Sequence, residues 1–244
     1  PPPPPPPSFD WLDPCNLMGV ANRSAGFGWC DHTAAPEVRA ARLVAAMTLD
    51  EKARTMQPFA PPIARLRLPP LWTTDALHGA FSSPHYRNCT VFPQAIANAA
   101  SFDREYLRQM ARVAADETRA KTNGEYGIFQ SQTYFSSNVI WTPVVNVCRD
   151  PRWGRCQETL GEDPYLTSQL GAVLVKSFQH GGLDGDKYLQ VIATAKHFDV
   201  HGGPESASLD AGGNRVNTNR MTFDTKISRR DWVTMHQPAF QATV

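Results

Sequence analysis

Residues 139–147, Val-Ile-Trp-Thr-Pro-Val-Val-Asn-Val, constrain the fold more than any other stretch. The run is apolar and rich in β-branched side chains, the pattern of a strand buried on both faces. It leads directly into Cys148-Arg149-Asp150-Pro151-Arg152-Trp153-Gly154-Arg155-Cys156. Three arginines, an aspartate and a tryptophan between two cysteines are costly to fold unless something uses them. Arginine forks and a flat aromatic ring are groups that grip a polyhydroxylated ligand.

The rest of the chain alternates helices and strands. Pro36 to Met47 has alanines and leucines at helical spacing, and Thr48-Leu49-Asp50-Glu51 reads as a capping box that opens a second short helix. Residues 71–74 are a short strand candidate ahead of Asp75. A longer helix follows Ser101-Phe102-Asp103 with Leu107, Met110, Ala111, Ala114 and Thr118 on one face, and Gly124 is expected to end it. Pro164 suits a first helical turn. Leu166, Leu170, Val173, Leu174 and Phe178 continue that helix, and Gly181-Gly182 should stop it. Val191-Ile192-Ala193-Thr194-Ala195 reads as another buried strand. Residues 231–242 suit a last helix that Pro238 breaks or kinks. Strands alternating with helices imply an α/β fold with a parallel sheet. In barrels of that class, chemistry gathers at the carboxyl ends of strands. Polar groups stand there in this chain: Asp75, the run Arg149 to Arg155, and Lys196-His197.

Bulk properties narrow the function. Across 244 residues, 24 Lys+Arg face 23 Asp+Glu, for a net charge of +1, so no basic stripe is available to neutralise a nucleic acid. No apolar run approaches the roughly 18 residues of a membrane span. Pro1 to Pro7 suits polyproline II or disorder, and residues 8–35 read as an irregular strap. The chain starts with proline, which points to a processed or fragmentary start. Its five cysteines, an odd number, leave at least one free or paired elsewhere. Sequons at Asn22 and Asn88, with cysteines bracketing a loop, favour a secreted, oxidising setting.

Each polar cluster has a plain structural alternative. Asp75 accepts two hydroxyl hydrogen bonds from a sugar, or it caps a helix. Arg155 forks onto hydroxyls while Asp150 or Glu158 holds a neighbouring arginine, or the cluster is a salt-bridge knot under a loop. Trp153 is assigned to packing, and a Cys148–Cys156 bridge would stiffen the loop. Lys196 and His197 are adjacent, so in a regular strand they face opposite sides; an irregular backbone is needed if both touch one ligand. His201 lacks the partners of a metal site, and no metal or organic cofactor is expected. No nucleophile elbow, phosphate loop or dinucleotide fingerprint occurs.

From about Cys30 to Ala242 the ordered motifs resemble glycoside hydrolase family 3. They include Asp75-Ala76-Leu77-His78-Gly79, Phe92-Pro93-Gln94, the run Arg149 to Arg155, Gly161-Glu162-Asp163-Pro164, Ala195-Lys196-His197-Phe198 and Phe223-Asp224. The resemblance implies a (β/α)8, TIM-like barrel, incomplete in this chain: a tail and strap over 1–35 and a partial barrel domain over 36–244. It implies a retaining exo-acting β-glycosidase with a carbohydrate substrate. Asp75, Arg155, Lys196 and His197 match the residues that hold a sugar in the terminal subsite. The stretch Phe223 to Trp232, with Pro238-Ala239-Phe240 and Gly202-Gly203-Pro204-Glu205, is most similar to the β-xylosidase branch. Asp75 stands where many xylosidases have glutamate, which keeps β-glucosidase activity open. Cys148–Cys156 and Cys15–Cys30 are the expected disulfides.

The family's nucleophile and acid/base have no matching motif here, so both are expected beyond Val244. None of the acids present takes their place. The chain is then either part of an enzyme completed by its C-terminal portion, or a non-catalytic sugar- or partner-binding product. In the second case another chain would have to cover the open barrel edge.

Overall fold

The computed structural model describes residues 27–66, 68, 70, 71, 73–80, 88–128, 137–180, 188–203, 205, 208–209, 212–216, 220 and 222–244. Cys15, Asn22, Trp72, Gly181, Gly182 and the proline tail lie outside the described residues. The chain forms two compact units, one built from residues up to Thr73 with Thr122–Ser137, the other from Thr74–Lys121 and Asn138–Val244.

The first unit holds α1 (Pro36–Ala46) and α2 (Leu49–Thr55). The capping box forms: the Glu51 amide donates to Thr48 Oγ1 at 3.2 Å, and the Thr48 amide donates to Glu51 Oε2 at 2.8 Å. Two of the otherwise unpaired donors at the helix start are satisfied in this way. Trp29, Ile63 and Leu66 are buried together, packed by Phe27, Leu43, Ala46, Met47 and Leu68. Cys30 is disulfide-bonded.

The second unit places the chemistry. Its elements are β1 (Thr73–Thr74, which enters it at Thr74), α3 (Ala95–Ala99), α4 (Arg104–Ile128, which leaves it after Lys121), β2 (Val139–Ile140) and α5 (Pro164–Gln179). Then follow β3 (Ile192–Ala193), β4 (Ser208–Leu209), β5 (Arg215–Val216), α6 (Arg229–Asp231), a π turn (Trp232–His236) and α7 (Gln237–Thr243). Sheet order is β1-β2-β3, and β2 pairs β3 in parallel with Val139 opposite Ile192.

α4 begins at Asp103, whose Oδ1 accepts the amides of Glu105 and Tyr106 at 2.9 and 3.0 Å. Its Leu107, Met110, Ala111 and Ala114 meet Leu170, Leu174 and Phe178 of α5, with Ile140 and Val191 of the sheet, in one core. Phe178 is completely buried, and burial of a phenylalanine contributes about 1.5–3 kcal/mol. α5 starts with Asp163 capping the Leu166 amide and Pro164 in the first turn. It packs against α7, where Ala239 and Phe240 cover Val145.

Four expectations need correction. α4 runs four residues past Gly124 to Ile128, because one glycine costs a helix only about 1 kcal/mol and is no stop signal by itself. The strand expected over 139–147 pairs in two pieces. Pro143 has no amide hydrogen to donate, so β2 ends at Ile140 and pairing resumes at the bridge between Val144 and Lys196. The segment stays buried throughout 142–148. The strand expected at 191–195 is buried only in part: Val191 is fully covered, whereas Ile192 is 48% exposed. Ile192 lies on the last strand of the described sheet, with no strand beyond it among the described residues. α5 meets its expectation, ending at Gln179 with His180 as its C-cap directly ahead of the two glycines; the fourth departure lies in the last helix.

Pro238 does not break the last helix. The helix widens into the π turn just before it, and the Gln237 amide donates to Trp232 O, five residues back. The wider turn makes room for a ring that would otherwise meet the preceding carbonyls. β4 and β5 pair antiparallel, with Ser208 opposite Val216, within the glycine- and asparagine-rich stretch.

Candidate functional site

The site lies where the chain leaves β1, β2 and β3. Past β1, the Ala76 amide donates to Thr142 Oγ1 at 3.0 Å, which fixes the turn carrying Asp75. Gly79 closes that turn at φ +138°, a backbone region open to glycine; a Cβ there would strike the Thr90 carbonyl. Phe92 then donates its amide to His78 O at 2.8 Å.

Past β2, a disulfide joins Cys148 and Cys156 and closes the arginine loop. Asp150 accepts from the Arg152 amide and side chain, and these bonds hold its carboxyl at about 2, below the usual range. Trp153 is buried and donates its indole N–H to Glu205 Oε1 at 2.8 Å. Arg155 turns inward. Its Nε and Nη2 fork onto Glu158 at 2.8 and 2.7 Å, with both side chains 18% exposed. The fork is therefore spent within the protein, which raises the guanidinium pKa, and Nη1 lies 3.8 Å from Glu205 Oε2.

Past β3 come Lys196 and His197, joined by a cis peptide. Lys196 Nζ pairs with Asp75 Oδ1 and lies 5.9 Å from the Trp141 ring centroid. Lys196 is mostly covered while half of the Asp75 side chain is exposed. Nε2 of His197 lies 3.1 Å from Arg155 Nη2. An arginine only donates, so this nitrogen accepts and the ring proton sits on Nδ1. Nδ1 faces Asn146 Oδ1 at 3.2 Å. Burial, then Arg155 and Lys196, push the His197 pKa down to about 3, so the ring is neutral near pH 7.

The four residues singled out from sequence thus form two pairs, Asp75 on Lys196 and His197 on Arg155, near enough that the charge of Asp75 acts on Arg155 and that of Lys196 on His197. Sequence reasoning overlooked two members. Asn146 is buried, and among the described residues its side chain bonds to residues 197–199, more than fifty positions away. The one signal for it was an amide inside an apolar run, which must find partners. Glu205 collects Trp153, His201 Nε2 at 2.8 Å, Arg155 and Arg220. Burial raises its pKa, but these partners outweigh it and hold the carboxyl below its ordinary value. Burial dominates at His201 and pushes its pKa down. Gly203, at φ +117° against Trp153, turns the chain between His201 and Glu205.

Among the described residues no three His, Cys, Asp or Glu side chains cluster closely enough to hold a metal ion. Among them, too, no helix is long and apolar enough to cross a membrane. Asn88 is exposed and Cys89 is a free thiol.

A profile of the glycosyl hydrolase family 3 N-terminal domain matches residues 38–227. A xylan 1,4-beta-xylosidase of Xylanibacter ruminicola is 39% identical over 208 residues, covering 84% of this chain and 22% of that protein. A beta-xylosidase/alpha-L-arabinofuranosidase of Medicago sativa is 35% identical over 240 residues, covering 94% and 28%. Among solved structures, a GH3 exo-beta-xylosidase in complex with a xylobiose aziridine activity-based probe superposes with a TM-score of 0.69 at 28% identity, over 88% of this chain and 26% of that one. A GH3 beta-glucosidase of Bifidobacterium adolescentis gives 0.59 at 25% identity, over 82% and 25%. The chain spans about a quarter of the length of these relatives. Its fold is the α/β, TIM-barrel-like fold of that N-terminal domain, present in part.

Proposed function

The chain belongs to glycosyl hydrolase family 3, and on that premise we propose that it carries the sugar-binding part of a retaining exo-β-glycosidase, with β-D-xylosidase as the activity. The observation that carries the reading is the convergence of Asp75, Lys196, Arg155 and His197 from three separate strand ends. A carboxylate and an ammonium suit adjacent hydroxyls of one ring, with Asp75 accepting and Lys196 donating. Arg155 adds a charged donor through Nη1, and neutral His197 holds that guanidinium through Nε2. Such bonds strengthen as the ring approaches its oxocarbenium-like transition state.

Bond cleavage needs two carboxylates about 5 Å apart, one as nucleophile and one as acid/base. Both are assigned to residues of the complete protein outside these 244, so the isolated chain is expected to bind and not to cleave. No cofactor is needed for this chemistry. The xylosidase relatives and the xylosidase-like stretch at 223–240 support xylose. Asp75 supports glucose as the second reading, since a shorter acid leaves more room beside the sugar. The bonded Cys148–Cys156 pair and exposed Asn88 support a secreted glycoprotein. Rates of the complete protein on paired nitrophenyl β-xyloside and β-glucoside decide the sugar. Negligible rates on both would reject this substrate class.

A further inference from the structure

Asn146 is 2% exposed, and every hydrogen-bonding position of its side chain goes to the turn after β3. Oδ1 accepts the His197 amide at 2.7 Å and faces His197 Nδ1 at 3.2 Å. Nδ2 donates to the carbonyls of His197 and Asp199, both at 2.9 Å. The orientation of the amide is not arbitrary: a backbone N–H requires an oxygen opposite it, and two carbonyls require the nitrogen. Oδ1 is therefore an acceptor facing Nδ1, which places the ring proton there. The far side of the same turn is held by the last helix, where Trp232 donates its indole N–H to Asp199.

We propose that Asn146 is a positioning residue that sets the tautomer and angle of His197, so that Nε2 presents its lone pair to Arg155 and holds the guanidinium that faces the bound sugar. The proposal rests on the sugar-subsite reading above. The charged and titratable groups acting on His197 are Arg155, Lys196, His201 and Arg220, and each of them disfavours its protonated form. A neutral amide on Nδ1 leaves that balance intact. A carboxylate in its place would favour an imidazolium, whose Nε2–H would confront Arg155.

The test uses the complete protein with Asn146→Asp and Asn146→Ser, reading kcat/KM on nitrophenyl β-xyloside from about pH 8 to about pH 4, and xylose binding by calorimetry. In Asn146→Asp, kcat/KM should acquire a second acid limb, at higher pH than the one the nucleophile carboxylate gives the wild type, dropping about 10- to 100-fold as His197 protonates and recovering at higher pH. Asn146→Ser fits the space, gives up both donors, and should weaken xylose binding by a similar factor without the new limb. A purely structural role would lower the melting temperature of both variants and leave the pH profile unchanged. Wild-type affinity and profile in either folded variant, or failure of both to fold, would overturn the assignment of Asn146. A wild type that neither binds xylose nor cleaves any β-glycoside would instead overturn the sugar reading.

Discussion

Replacing Arg155 separates what its guanidinium does for the ligand from what it does for the fold. Nε and Nη2 are committed to Glu158 at 2.8 and 2.7 Å, and Nη2 also meets His197 at 3.1 Å. The ligand-facing share is then one charged hydrogen bond from Nη1, worth about 1.5–3 kcal/mol. At 1.36 kcal/mol per tenfold, that is a loss of about 10- to 150-fold in kcat/KM. Arg155→Lys keeps the charge, but one ammonium cannot bind Glu158 bidentately and reach the sugar as well, so it should show this loss with only modest destabilisation. Arg155→Ala should show the same loss and, in addition, cost about 1–3 kcal/mol of stability, because it strands the Glu158 carboxylate in a site where both partners are 18% exposed. The assay is kcat/KM of the complete protein on nitrophenyl β-xyloside, with denaturant unfolding alongside. Wild-type kcat/KM in both variants would show that Arg155 is a strut and that Nη1 meets no ligand.

Three further outcomes follow from the geometry. His197 has its pKa lowered from 6.5 to about 3, and His201 and His236 are lowered as well. Between about pH 6.5 and about pH 3 the unfolded chain therefore binds more protons than the folded one, and stability should fall as pH falls through that window. Denaturation midpoints measured against pH should show the slope, reduced in His197→Gln; a flat curve in the wild type would contradict it. Opening the Cys148–Cys156 bridge with a double serine variant should cost about 2.5 kcal/mol on the loop-entropy scale for its sequence separation of 8, read from the unfolding midpoint. An unchanged midpoint would show that the ion pairs alone hold the loop. Gly79→Ala should be strongly destabilising, since its φ of +138° and the Thr90 carbonyl both resist a side chain; wild-type melting would show that the 75–79 turn relaxes.

Local rules read well from this sequence. The Thr48/Glu51 capping box, the Asp163 cap with Pro164, and the apolar faces of α4 and α5 depend on neighbours three or four residues away. Strand lengths read poorly. An apolar run shows that 139–147 is buried, but not that Pro143 divides its ladder or that β3 leaves Ile192 exposed, because pairing depends on which backbone lies alongside. The four sugar-site candidates stood out as polar residues at strand ends, and the structure brings them together. Their supports did not stand out. Asn146 and Glu205 act on residues roughly fifty positions away, through bonds that no spacing pattern announces. The commitment of the Arg155 fork to Glu158 rather than to a ligand also needed coordinates, although the i, i+3 pairing made it available.

The most direct measurement is an experimental structure of the complete protein with a β-xylosyl ligand bound. One sugar ring should lie within hydrogen-bond distance of Asp75, Lys196 and Arg155 Nη1 and against the His197 ring, with Arg155 still forked onto Glu158. A ring bound elsewhere, or one that touches none of these four groups, would contradict the account.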